Sequence, residues 1–76
     1  MEVKIKVKGV HKVKITEREQ EIIQLTSEDI SNQGISVKLG ISIKTVEVHK
    51  HNILKKTGCR TIAGLLPILF RQGLLK

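Results

Sequence analysis

Aromatic residues are nearly missing from this chain: Phe70 stands alone, with no tryptophan and no tyrosine among 76 residues. That excludes a stacking platform for single-stranded nucleic acid, which needs several exposed rings. It also removes the aromatic route by which common modules read RNA. The single cysteine, Cys59, excludes an intramolecular disulfide and fits a reducing compartment, so a cytoplasmic location is expected. No apolar run approaches the length of a membrane span, and the lysine-broken start is not a signal peptide. No membrane partner is expected.

Catalytic groupings are missing too. There is no glycine-rich phosphate loop, no carboxylate pair in an apolar setting, and no nucleophile beside a base, so enzymatic activity is not expected. No cofactor is implied. His49 and His51 lie two apart on a helical stretch and point about 200° away from each other, so they cannot chelate one ion. Cys59 has no partner at zinc-ligand spacing, and no metal site is assigned.

What the chain does have is positive charge: 14 Lys and Arg against 7 Asp and Glu, a formal net charge of +7. Such a surplus points to a polyanion or an anionic surface, with plain solubility as the alternative. Its distribution is uneven. Residues 17–30 carry Glu17, Glu19, Glu21, Glu28 and Asp29 against Arg18 alone. Residues 31–60 carry Lys38, Lys44, Lys50, Lys55, Lys56 and Arg60 against Glu47 alone. Solubility does not require that segregation.

A chain of this length makes one domain with a thin core. The expected division is an extended arm or β-hairpin over 1–15 and an all-α, four-helix domain over 16–76. In the arm, apolar residues alternate with lysines at a period of two, the pattern of a strand. If a three-residue Lys8-Gly9-Val10 loop turns the chain, Val7 pairs with His11, Ile5 with Val13 and Val3 with Ile15. The same register sets Lys6 against Lys12 and Lys4 against Lys14. Like charges directly opposite are destabilising, and an isolated hairpin is marginal in water. The hairpin therefore needs its apolar face packed on the domain; a linker-like arm is the alternative.

At Thr16 the period changes. Thr16 and Glu19 form a capping box that opens a helix over 17–26, burying Ile22, Ile23 and Leu25. Ser31 caps a short helix over 32–39 that Gly40 ends, with Ile41 as a buried turn residue. Ser42 caps a longer helix over 43–57 that Gly58 closes, and Thr61 caps a last helix over 62–72. Pro67 should remove one backbone bond from that helix and bend it. A short helix, a Gly-Ile-Ser turn and a longer basic helix give the helix-turn-helix layout. In that layout the second helix enters the major groove of double-stranded DNA.

Projected at 100° per residue, the 43–57 helix separates into two faces. Val46, Ile53 and Thr57 form the core side, with Ile43 and Leu54 at its edge. Lys44, Glu47, Val48, His51 and Lys55 lie opposite. Glu47 can accept from cytosine N4, His51 can bond a purine edge, and Val48 can touch a thymine methyl. Lys44 and Lys55 sit where phosphates or guanine edges would be; an ordinary solvated face is the plain alternative. The last helix carries Leu65, Leu66, Leu69 and Phe70 among more apolar residues than one face can bury, so a second copy is expected to cover some of them.

The runs I-T-E-R-E-x-E-I-I-x-L and I-S-N-x-x-I-S-x-x-L-x-I-S-x-K-T-V-E-V-H-x-x-N-I-L-K-K-x-G resemble the LuxR/FixJ/NarL-type helix-turn-helix domain, from Ile15 to about Leu75. That resemblance implies a bacterial transcription regulator binding two DNA half-sites as a homodimer through its last helix, as the effector domain of a response regulator or standing alone. It implies base reading at Glu47, Val48 and His51. It further implies phosphate contacts by Lys56 and by the helix start at Ser42 and Thr45, alongside Lys44 and Lys55. RNA polymerase is a candidate partner. Family members often carry Gly where Asp29 stands, Glu at Gly34 and Leu at Thr57. Gly34 within a helix should cost about 1 kcal/mol relative to Ala. Two other functions remain open: a sigma-factor-like promoter-binding region, and a helix-turn-helix protein-interaction module without DNA binding.

Overall fold

Thr16 decides where the first helix begins. Its hydroxyl accepts from the Glu19 amide at 3.1 Å, and the Glu19 carboxylate accepts from the Thr16 amide at 2.9 Å. This reciprocal cap satisfies two donors that a helix start leaves without partners. The computed structural model describes residues 2–7 and 11–75. Along them run β1 (Val3–Val7), β2 (His11–Ile15), α1 (Glu17–Ser27), α2 (Asn32–Leu39), α3 (Ile43–Thr57) and α4 (Ile62–Arg71). The Lys8-Gly9-Val10 loop expected from the sequence lies outside the described residues.

The other three helices start with the hydroxyl half of this cap. Ser31, Ser42 and Thr61 each accept from the amide three residues on, at Gly34, Thr45 and Gly64. Gly40 and Gly58 end α2 and α3 at φ 67 and 73, a left-handed conformation that costs a residue without a side chain little. Asp29 adopts the same region at φ 64, the one described residue other than glycine to do so. Helix bounds fall within one residue of those expected, and α4 continues through Pro67 to Arg71.

The hairpin forms in the expected register, Val3 to Ile15 through Val7 to His11. Its apolar face supplies Ile5, Val7, Val13 and Ile15 to a buried cluster shared with Ile23, Ile53, Ile62, Leu65, Leu69 and Leu75. The arm is thus part of the domain's main core. A second cluster of Ile22, Ile35 and Val46 lies between α1, α2 and α3, with Leu25, Ile30, Leu39 and Ile41 packed around it. Adjacent residues Ile22 and Ile23 send α1 into both clusters. Val46 and Ile53, two turns apart, do the same for α3.

Both outer edges of the ribbon have side-chain partners. The Gln72 side-chain amide donates to the Lys6 carbonyl at 2.9 Å and accepts from the Lys6 amide at 3.0 Å. On the other edge, the Lys56 ammonium donates to the Lys14 carbonyl at 3.1 Å. Among the described residues, no buried side-chain nitrogen or oxygen lacks a partner.

Candidate nucleic-acid interface

Helix α3 is held along one side only. Val46, Ile53 and Thr57 are buried, and α2 and α1 pack against that side. The Thr57 hydroxyl donates to the Leu54 carbonyl and accepts from the Cys59 amide, so a polar residue in the core has its bonds met. On the far side Lys44, Glu47, Val48, His51 and Lys55 are all exposed. The expected face is therefore present as one surface. Val48 is 46% exposed at its middle, an aliphatic group that packing within the domain does not explain. Asn52 is also exposed, one turn beyond Val48, and Ile43 is 43% exposed at the helix start rather than tucked at the core edge. Spacing could have found Asn52, four residues on from Val48.

The start of α3 is ordered by its own hydroxyls. Ser42 Oγ accepts from the Thr45 amide at 3.0 Å and lies 2.9 Å from Thr45 Oγ1. Ser42 remains exposed and Thr45 half-buried. With the helix dipole directed out of this end, the turn is suited to an anion such as a phosphate. Lys50, on the flank of α3, is half-buried, and burial pulls its pKa down.

Lys56, expected at phosphate, also has partners within the domain: its ammonium donates to Glu19 Oε1 at 2.9 Å and to the Lys14 carbonyl at 3.1 Å. Two of its three donors are thus spent inside the domain. Glu19 is 5% exposed. Burial pushes its pKa up, but the Lys56 ammonium and the Thr16 backbone amide outweigh this and leave it below the usual 4.5.

The four residues expected to meet a second copy divide in two. Leu65 and Leu69 are 0% and 3% exposed in the domain's own core and cannot form an outer surface. α4 buries this stripe in the cluster that it shares with the hairpin, α1 and α3. Phe70 is 50% exposed and Leu66 half-buried, and with Ala63 and Pro67 they make an apolar stripe along the flank of α4 next to its buried side. The described residues include no group of three or more His, Cys, Asp or Glu placed to hold a metal ion. They also include no helix long and apolar enough to cross a membrane.

Comparison with known proteins converges on one family. The model of bacterial regulatory proteins of the luxR family matches residues 13–67. The chain is 45% identical over 47 residues to the C4-dicarboxylate transport transcriptional regulatory protein DctR of Rhodobacter capsulatus, covering 62% of this chain and 24% of that protein. It is 36% identical over 62 residues to the oxygen regulatory protein NreC of Staphylococcus aureus strain JH9, covering 82% of this chain and 29% of that protein. The chain thus spans between about a quarter and three tenths of the length of these relatives. The solved structure of the transcription factor GerE superposes with a TM-score of 0.76 at 40% identity, over 82% of this chain and 92% of that one.

Proposed function

The chain belongs to the luxR family of bacterial regulatory proteins, and from that membership we propose that it binds double-stranded DNA by laying α3 in the major groove. The observation that carries this reading is the exposed face of α3, where Lys44, Glu47, Val48, His51 and Lys55 share one side. Glu47, Val48 and His51 carry the chemistry to read cytosine, thymine and purine edges. Lys44, Lys55 and the capped turn at Ser42 and Thr45 meet the flanking phosphates. Lys56 is left out of that set, because Glu19 and the Lys14 carbonyl hold it.

The chain then acts as the DNA-binding part of a cytoplasmic transcription regulator, with RNA polymerase as a candidate partner. A second copy docks on the Leu66 and Phe70 stripe of α4 and places two α3 helices on two half-sites. Selecting bound sequences from a random DNA pool tests the whole reading. A single enriched motif supports it, and recovery of unenriched DNA overturns sequence-specific binding.

A further inference from the structure

The solvent face of the hairpin is made of lysines. Lys4, Lys6, Lys12 and Lys14 are all exposed, with Lys4 opposite Lys14 and Lys6 opposite Lys12. The amide and carbonyl of Lys6 both face outward to Gln72, so Lys6 and Lys12 form a pair without mutual backbone bonds. Alternation along the ladder makes Lys4 and Lys14 another such pair. The Lys14 carbonyl turned outward to Lys56 agrees with this. In such pairs the facing Cα atoms are only about 4.5 Å apart and the side chains are at their closest. Along each strand the lysines repeat every ~7 Å.

Four cations are thus gathered on a small patch. Among the described residues the one ion pair on this face is that of Lys14 with Glu2, at 3.4 Å and with both side chains more than half exposed. The arrangement is unfavourable for the free domain, because like charges directly opposite destabilise a sheet. Solubility does not call for it, since interspersed charges of both signs serve that end. A dense anion array relieves the repulsion. Duplex DNA presents one negative charge per ~1.7 Å of its axis, enough to meet several ammonium groups at once. The edge of β2 that carries Lys12 and Lys14 also meets the end of α3: the ammonium of Lys56, next in sequence to exposed Lys55, touches the Lys14 carbonyl. Of the four lysines, Lys4, Lys6 and Lys12 precede the segment that the family model matches, and Lys14 lies within it.

The geometry points to the hairpin face as a second, sequence-independent phosphate-binding surface, engaging the backbone of the same duplex that α3 reads. This inference rests on the proposed DNA binding and extends it to a place where no base is read. The apolar side of the hairpin fixes the ribbon to the core, so its lysines reach DNA from a rigid platform.

The test is a salt series of binding to a mixed-sequence duplex of about three helical turns. It compares the wild-type chain, the Lys4→Gln/Lys6→Gln/Lys12→Gln variant and the matching Lys→Arg variant. Lys14 is left intact because its neighbourhood includes Lys56 and Glu2. Each lost phosphate contact lowers the slope of log K against log salt by about 0.9, so the Gln variant should lose roughly 2–3 units and the Arg variant almost none. Thermal melting checks the fold, and the Gln variant should melt no lower than wild type because a repulsion has been removed. Equal slopes for wild type and a folded Gln variant overturn the inference and leave the face to a partner such as an acidic protein. A wild-type chain that binds no duplex with salt dependence overturns the proposed function itself, a separate and distinguishable failure.

Discussion

Glu19 Oε1 accepts from Lys56 Nζ at 2.9 Å and from the Thr16 amide at 2.9 Å. One carboxylate oxygen therefore joins the start of α1 to the end of α3 and, through Lys56, to the outer edge of β2. This makes the pair a structural junction at the end of α3.

The junction should show in acid. The Glu19 pKa is lowered on folding, so its contribution to stability is fully present above the unfolded value. It is lost as pH falls from about 4.5 through the lower folded value. Glu19→Gln should cost about 1–2 kcal/mol at neutral pH, with the partial exposure of Lys56 keeping the figure modest. Denaturant melts at successive pH values are the measurement. The variant should lose less stability than wild type over the acid interval, and parallel losses would contradict the assignment.

Base reading should separate from backbone contact. His51→Ala and Val48→Ala should each relax preference at a different position in the site, by about 1–3 kcal/mol of discrimination. Lys55→Ala should weaken every sequence alike and reduce the salt slope by about one unit. Lys56→Ala should move that slope by clearly less and lower the melting temperature instead. Competition binding against a panel of single-base variants reads the first pair, and a salt series the second.

The two stripes of α4 should respond differently to substitution. Leu65→Ala, at a fully buried position, should destabilise by about 2–5 kcal/mol. Phe70→Glu, at a half-exposed one, should change stability by roughly 0.5 kcal/mol or less. It should nevertheless remove cooperative binding to a two-fold symmetric site. Sedimentation with and without DNA, beside a melting curve, distinguishes these outcomes.

Two backbone positions carry opposite expectations. A Cβ added at Gly34 would lie 2.8 Å from Ile30 Cγ2, a methyl on a stiff β-branched side chain. The overlap costs about 1–3 kcal/mol and offsets the ~1 kcal/mol of helix propensity regained, so Gly34→Ala should fail to stabilise. At Asp29, held at φ 64, Asp29→Gly should relieve local strain and stabilise by about 0.5–1 kcal/mol. Chemical denaturation of both variants checks the signs.

Much of this architecture is written locally. Thr16, Ser31, Ser42 and Thr61 mark helix starts by side-chain chemistry that acts within three residues. Alternation in the arm sets the hairpin register because a one-residue slip would turn Ile5 and Val13 to water. The exposed face of α3 follows from its period. What stayed hidden depends on distant partners. Lys56 reads as one more surface lysine until Glu19, 37 residues earlier, comes within 2.9 Å. Gln72 looks like the tail of a helix, yet it bonds Lys6, 66 residues away. Leu65 and Phe70 sit in one apolar run, and only the placement of the hairpin decides which is core. Gly34 reads as a defect until Ile30 is seen filling the space above it.

The partners at the hairpin's outer edges also bear on how the chain behaves at high concentration. A two-stranded ribbon open on both sides is a template for adding further strands, and head-to-tail addition has no natural stopping point. Gln72 fills the Lys6 slot on one edge, Lys56 takes the Lys14 carbonyl on the other, and the lysine rows repel an arriving copy. Each edge is thereby partly occupied against an arriving strand, the β1 side by a single glutamine amide.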